Sequence, residues 1–534
     1  MIPLELSDIA AVTGGRLAGG AEPGAVVDGF VEFDSRKIAP GGLFVALPGK
    51  NVDGHDFARA AIDHGAVAVL AARDVGVPAI VVERVQRAAG DNSDLAVGDP
   101  DGSATGVVRG MSKLATHVAH RLVAEHGLTI VGVTGSAGKT STKDLIAAVL
   151  SAAGETVAPP GSFNNEIGHP YTVLRCAPTT RYLVAEMSAR GIGHIAHLAT
   201  IAPPKIGVVL NIGSAHLGEF GSKDNIAVAK GELVEALPAA DDGGVAILNA
   251  DDPYVSPMHK RTKARVVYFS AEGAQGGARA PEYYATDVEL DDLTRASFTL
   301  HSPGYEPQRV RLAVFGAHQV SNALAAAAVG IESGLDAATV ARCLSAAHGV
   351  SGNRMDVKTR ADGVTVINDA YNANPDSMRA GIAALGFTAS ARPGARSIAV
   401  LGEMGELGED SLAAHEELGH ELARYRVSHL VAVGRSKAVD ALAREAQRHG
   451  IKVVSVPGVD DAAAEVEDIL SHPPAGEEGW HERAERDVVL VKASNSQGLW
   501  AVAARLLEGH PLRGAAAQAD RADNTGRFGT EGSS

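Results

Sequence analysis

Cysteine is nearly absent: Cys176 and Cys343 are the only two in 534 residues. Two thiols cannot staple a chain of this length, so a disulfide framework is excluded and a reducing, cytoplasmic setting is expected. Aromatic residues make up only 4 %, so the cores must be built from Ala, Val, Leu and Ile. Basic residues are outnumbered, with 48 Lys and Arg against 64 Asp and Glu and a formal net charge of −16. That argues against a nucleic-acid partner, which needs a basic footprint. It leaves room for a small anionic substrate in a local basic pocket. No run of 18 apolar residues occurs, so no membrane association is expected. The start, MIPLELSDIA, lacks the basic stretch of a signal peptide.

What is present is the composition of a globular α/β protein, 45 % hydrophobic and long enough for about three domains. The most informative stretch is LTIVGVTGSAGKTSTKDLI, residues 128–146. It reads as a buried strand, a small-residue turn and a helix, the setting in which a P-loop is credible. Gly135 and Gly138 let backbone N–H groups approach phosphate oxygens, and the helix N-terminus adds its positive end. Lys139 is placed to reach the terminal phosphates and the Thr140 hydroxyl to hold Mg²⁺. The pattern is the short T-G-x-x-G-K-T, since Val133 stands where the longer motif has glycine.

Residues 1–110 read as a small N-terminal α/β domain. The segment 88–106, rich in Gly, Asp and Ser, reads as an exposed loop. Residues 111–349 alternate strands (128–134, 182–187, 205–211, 244–249, 264–269) with helices (139–153, 222–237, 318–332, 336–347). That predicts a mostly parallel sheet with helices on both faces and ligands at the carboxyl ends of the strands. Residues 350–513 read as a third, Rossmann-like α/β domain, with strands at 364–368, 397–402, 429–433, 452–456 and 487–492. Gly402, Gly405 and Gly408 are spaced G-x-x-G-x-x-G, which is not a dinucleotide fingerprint, so no NAD site is expected. The small-residue stretch 345–352 is a candidate hinge, and the polar tail 514–534 is expected to be disordered.

Several polar residues fall at strand ends in the central domain. Glu186 could complete a Mg²⁺ site beside Thr140, though alone it reads better as a solvated strand-end carboxylate. By themselves His216 and Lys230 read as ordinary surface residues, and the turn-rich 162–170 as a long loop.

Taken together the motifs are specific. DSRKIAPGGLFVALPGKNVDGHDF (34–57), TGSAGKTSTK (134–143), SFNNEIGHP (162–170), EMSARGIGHI (186–195), NIGSAHLGEFGS (211–222), GAHQVSNALAA (316–326) and NDAYNANPDSM (368–378) resemble the Mur ligase family over nearly the whole chain. The resemblance implies an ATP-dependent ligase that forms a peptide bond through an acyl phosphate in cell-wall precursor synthesis. The NNEIG and YNANPDSM stretches point to the member that joins D-alanyl-D-alanine to a UDP-N-acetylmuramoyl-tripeptide. It implies ATP contacts from Thr134, Gly135, Ser136, Ala137, Gly138, Lys139, Thr140 and Ser141, with Asn322 on the adenine side and Arg354 and Asp369 from the last domain. Thr140 and Glu186 would hold the ATP-bound Mg²⁺ and His216 a second Mg²⁺, with Lys230 matching a lysine that sister enzymes carry as a carbamate. Lys139, Lys230 and His216 are thus the catalytic candidates. Ser35, Arg36, Asp53, His55, Asn164 and Asn165 are assigned to the UDP substrate. Asn372, Asn374 and Pro375 are assigned to the incoming dipeptide. A monomer is expected.

Overall fold

A computed structural model describes residues 1–49, 52–85, 99–213, 217–277, 279–348, 351–405, 407–472, 480 and 485–513. Three main sheets follow one another along the chain. The first has five strands, in the order Arg16–Ala18, Ala79–Val81, Ala68–Ala71, Leu43–Val45, Val31–Glu32, parallel except for the pair at the Arg16–Ala18 edge. The second has nine strands. Its parallel part includes Thr129–Thr134, with Tyr182–Glu186 on one side and Ile206–Val209 on the other. The third has six, with Val488–Lys492 between Thr365–Asn368 and Ser397–Leu401.

The strand and helix positions expected from periodicity are present in the central and last sheets, and the central sheet is larger than the alternation implied. Beyond Arg265–Ser270 it continues through Tyr283–Leu290, Arg295–His301 and Gln308–Phe315, the last two added antiparallel. These strands alternate buried and exposed residues along much of their length. That is the pattern of a sheet covered on one face, in contrast to the continuous apolar runs of the parallel strands.

The reading of 88–106 as an exposed loop needs correction. Residues 86–98 lie outside the described residues, but Ser103–His126 is a 24-residue helix whose first residues are buried. Val107, Met111, Leu114, Val118 and Leu122 recur every three or four positions and form its buried stripe. Asp99 starts it, accepting from the backbone N–H groups of Ala104 (3.0 Å) and Thr105 (2.7 Å). The helix runs through residue 110, where the sequence suggests a domain boundary. It is also the seam of the molecule. Its stripe joins residues of the first sheet, such as Leu43 and Leu70, and of the central sheet, such as Ile130 and Leu183, in one continuous core.

A second contact joins the same two units. Glu32 is buried and accepts from Tyr171 Oη (3.0 Å to each oxygen) and from Arg175 Nη1 (3.0 Å). Phe33, Phe163 and Tyr171 cluster beside it, with ring centroids 4.7–6.3 Å apart. The last unit is built differently. Its sheet has apolar cores on both faces, drawn almost wholly from its own residues. It meets the central unit mainly through polar contacts. Of the candidate hinge, residues 349 and 350 lie outside the described residues. On its far side Ser351 N donates to Asp144 Oδ2 (3.2 Å), and Asn353 and Met355 adopt left-handed backbone.

Removing the Tyr171 hydroxyl leaves the buried Glu32 carboxylate short of a donor. Tyr171→Phe should therefore lower unfolding free energy by about 1–3 kcal/mol, measured by urea denaturation.

Candidate active site

The strand Thr129–Thr134 is the switch point of the central sheet, because the chain next forms strands to one side of it and then to the other. In such sheets the crevice at the carboxyl ends collects ligands. Here it holds residues 134–138, then the helix Lys139–Leu150. Gly138 has φ of +81°, and a Cβ there would lie 2.6 Å from Asn322 Oδ1. A Cβ on Gly135 would meet Leu210 Cβ at 2.9 Å. Both glycines are thus required by close approach as well as by the turn.

The loop is clamped by Asn211 at the tip of the neighbouring strand. Its Oδ1 accepts from Ala137 N (2.8 Å), its Nδ2 donates to Ala137 O (3.1 Å), and its carbonyl accepts from Ser136 N (3.0 Å). Asn211 was quoted among the sequence motifs but assigned no role. The signal was its place directly after a strand flanking the P-loop.

Thr140 and Glu186, 46 residues apart, come together in this crevice. Thr140 Oγ1 donates to Glu186 Oε2 (2.9 Å), and Asn164 Nδ2 donates to Glu186 Oε1 (2.6 Å). Glu186 is 1 % exposed, so it is not a solvated strand end. Because the single Thr140 proton serves Glu186, Ser162 must donate to Thr140 Oγ1 (2.9 Å) and is free to accept from Arg354 Nη2 (2.6 Å). A directed chain therefore runs from Arg354 of the last unit through Ser162 and Thr140 to Glu186. Ser162 sits among turn formers and carries no mark of this role in the sequence. Asn165 caps the next helix, its Oδ1 accepting from Gly168 N (3.0 Å).

Lys139 Nζ donates to Gly135 O (2.7 Å). Burial pushes its pKa down, against the pull of Glu186, and Arg354 pushes it further down. Lys230 is 2 % exposed and is not a surface lysine. Burial holds its pKa well below the usual value, and the nearby Lys139 charge adds to the effect. Among the described residues no hydrogen-bond acceptor engages its ammonium. His216 lies outside the described residues.

A cavity of about 470 Å³ opens between the central and last units beside the P-loop. Its lining includes Ser141, Asn322, Arg354, Asp369, Asn372 and Asn374. Asn322 Nδ2 donates to Gln319 Oε1 (2.9 Å). Arg354 stacks on Tyr371, 4.2 Å from the ring centroid. Asp369 pairs with the buried Lys492, which also donates to Asn372 O (2.9 Å). Lys492 ends the strand predicted at 487–492, and nothing in the sequence marks this role. Asn374 caps the helix Pro375–Ser390, its Oδ1 accepting from Ser377 N (2.9 Å), with Pro375 in the first turn. Those two residues thus have a local structural task at the cavity rim.

The residues assigned to the UDP substrate fall in three segments of the chain, 35–36, 53–55 and 164–165. Arg36 is exposed and pairs with Asp34, while Ser35 O accepts from the His64 ring (2.8 Å). His55 is buried and spent on the fold. Its Nε2 accepts from Ala72 N (3.0 Å), so the ring proton is on Nδ1 and goes to Asp53 (2.6 Å). Asn164 belongs with Glu186 at the P-loop.

A strand-end P-loop lysine, a threonine and buried carboxylate beside it, and a cavity closed by a second α/β unit define a nucleotide-dependent ligase of modular build. The chain belongs to the Mur ligase family. The family's middle domain matches residues 133–330, its glutamate ligase domain 353–495 and its catalytic domain 29–97. The UDP-N-acetylmuramoyl-tripeptide--D-alanyl-D-alanine ligase of Mycobacterium tuberculosis is 52 % identical, covering 95 % of this chain and 98 % of that one. The Escherichia coli enzyme of the same name is 33 % identical, covering 82 % and 87 %. A crystal structure of MurF from Acinetobacter baumannii aligns with a TM-score of 0.75 at 27 % identity, over 95 % and 99 % of the two chains. The MurF ligase of Thermotoga maritima in complex with ADP aligns with a TM-score of 0.65 at 28 % identity, over 90 % and 97 %.

Two predictions follow from this geometry. Gly138→Ala forces a Cβ into a left-handed turn and against Asn322, and should weaken ATP binding by about tenfold or more, read by calorimetry, a cost of about 1–3 kcal/mol. His169, buried behind the loop, has its pKa pushed down to about 4 by burial, against a backbone hydrogen bond with Leu198. The folded chain keeps it neutral while the unfolded chain takes up a proton near pH 6.5, so its contribution is complete above that value. It is lost as pH falls toward 4. His169→Gln should flatten this part of the stability–pH curve.

Proposed function

We infer that this chain is an ATP-dependent ligase of peptidoglycan precursor synthesis that joins D-alanyl-D-alanine to UDP-N-acetylmuramoyl-tripeptide, giving the pentapeptide, ADP and phosphate. The observation that carries this reading is Lys139 beside the Thr140–Glu186 couple, on a P-loop whose Gly138 and Ser141 line the interdomain cavity. The relatives of that name, aligned over most of their length, support the substrate assignment.

Condensing a carboxylate with an amine in water is uphill. In the reading we favour, the tripeptide carboxylate attacks the ATP γ-phosphorus and ADP leaves, which produces an acyl phosphate. The dipeptide amine then attacks the carbonyl, loses a proton and expels phosphate. Two anions must meet in the first step, so fixed positive charge is needed where they meet. Lys139 supplies one such charge from the P-loop. Glu186 is a buried carboxylate whose hydrogen bonds, among the described residues, come from a hydroxyl and an amide. Hard oxygen donors in that state suit Mg²⁺, which would offset phosphate charge and orient the γ-phosphoryl group. Lys230 as an ammonium would repel a second cation. Its depressed pKa favours the free amine, which can add CO₂ and release a proton to become a carbamate, a potential oxygen ligand. The last unit contributes Arg354, Asp369 and Lys492 to the cavity and would shield the acyl phosphate from water. Asn372 is the cavity residue we assign to the dipeptide side. The substrates are small molecules, and no helix among the described residues is long and apolar enough to cross a membrane.

The test is phosphate release from ATP, which should require both UDP-N-acetylmuramoyl-tripeptide and D-alanyl-D-alanine. A single amino acid replacing the dipeptide with equal turnover would overturn the assignment. Lys139→Ala should lower kcat by about 10²–10³, the loss typical of removing one electrostatic stabiliser.

A further inference from the structure

Far from the P-loop in sequence, the helices Ser411–Arg424 and Lys437–Arg448 pack side by side on the last sheet. They are closest at Gly419, where a Cβ would lie 2.7 Å from Glu445 Cβ. That contact sets the next residue, His420, against Glu445 and against His449, which lies just past the second helix and one turn on from Glu445.

The side chains converge. His449 Nε2 lies 2.9 Å from His420 Nδ1 and 3.3 Å from Glu445 Oε1. Glu445 Oε1 is 3.7 Å from His420 Nε2. One donor atom from each residue falls within 4.8 Å of the other two. Arg448 Nη1 donates to Glu445 Oε2 (2.6 Å). This holds the carboxylate ionised and leaves Oε1 turned toward the imidazoles. Glu445 is buried, while His420 and His449 are both exposed, so the outer side of the cluster is open to water.

Two neutral imidazoles at 2.9 Å share one ring proton. A cation can take its place once the donating ring shifts its proton to its other nitrogen. Two imidazoles, one carboxylate and solvent make a borderline donor set. It suits Zn²⁺, Co²⁺ or Ni²⁺ rather than Mg²⁺ or Ca²⁺, which prefer oxygen alone. We propose that His420, Glu445 and His449 form a surface site for a borderline divalent transition-metal cation, bridging the two helices. Its role is a staple: a cation held from both helices favours the folded chain and opposes their separation. It is independent of the ligase reaction and uses none of its residues.

The test titrates the full chain with Zn²⁺ by calorimetry in excess Mg²⁺, which fills sites made of hard oxygens. Binding of one equivalent of Zn²⁺ and a rise in melting temperature are expected. His420→Ala and His449→Ala should each abolish that equivalent, and Glu445→Gln should weaken it. Gly419→Ala keeps every ligand but moves the helices apart, so it should also weaken binding. Co²⁺ should give visible ligand-field bands in the native chain and not in the double histidine variant. The proposal fails if the double variant, folded by circular dichroism, binds Zn²⁺ as tightly as the native chain. It also fails if the native chain takes up no equivalent under these conditions.

Discussion

Two lysines held out of bulk water within electrostatic reach of each other are the constraint on which the site depends. Burial depresses the proton affinity of both, and the Lys139 charge lowers that of Lys230 further. Glu186 offsets part of that charge for Lys139, and Lys230 has no such partner among the described residues. Without an anion such an arrangement costs stability. It persists because each group is carried by a stiff element, Lys139 at the head of a packed helix and Lys230 within the helix Lys223–Glu235. A bound polyphosphate relieves the same repulsion, so conformational stability is exchanged for affinity toward negative charge.

The three units are joined by unlike forces. The first and central units share one apolar core along the helix Ser103–His126, reinforced by the Glu32–Tyr171–Arg175 group and the rings of Phe33 and Phe163. Phe163 lies between Ser162 and Asn164, the two residues that hold Thr140 and Glu186, so this seam runs directly behind the P-loop. Separating these units would expose a large apolar surface. The last unit keeps nearly all of its apolar surface to itself and touches the central unit through hydroxyls, amides and Arg354. Polar contacts of that kind can be exchanged for water at small net cost. The chemistry of the two interfaces therefore makes one an apolar seam and the other a largely polar contact.

Much of this was legible in order along the chain. The strands at 129–134, 182–186, 397–401, 429–433 and 488–492 and the helix after the first of them are set by short-range apolar periodicity and glycine punctuation. The P-loop is set by ten contiguous residues. The start of the helix at 103–126 is hidden in the sequence because Gly106 closes a stretch rich in Gly, Asp and Ser, yet Gly106 and Gly110 allow the helix to lie against the backbone at Glu83 and against Val82. The antiparallel strands from 283 to 315 were missed because their half-buried alternation is weaker than the runs of the parallel strands.

What the sequence determined by itself was the class of fold and the kind of chemistry, because both rest on residues that are neighbours along the chain. What only the tertiary structure decided was the state of individual groups. Glu186 is buried, Lys230 is a shielded lysine whose charged form burial disfavours, Ser162 joins Arg354 to Thr140, His55 is spent on the fold, and His420 faces Glu445 and His449. Each of these depends on which distant segments exclude water from a side chain or meet its hydrogen bonds. That is settled by packing across separations of tens to hundreds of residues, to which local pattern is blind.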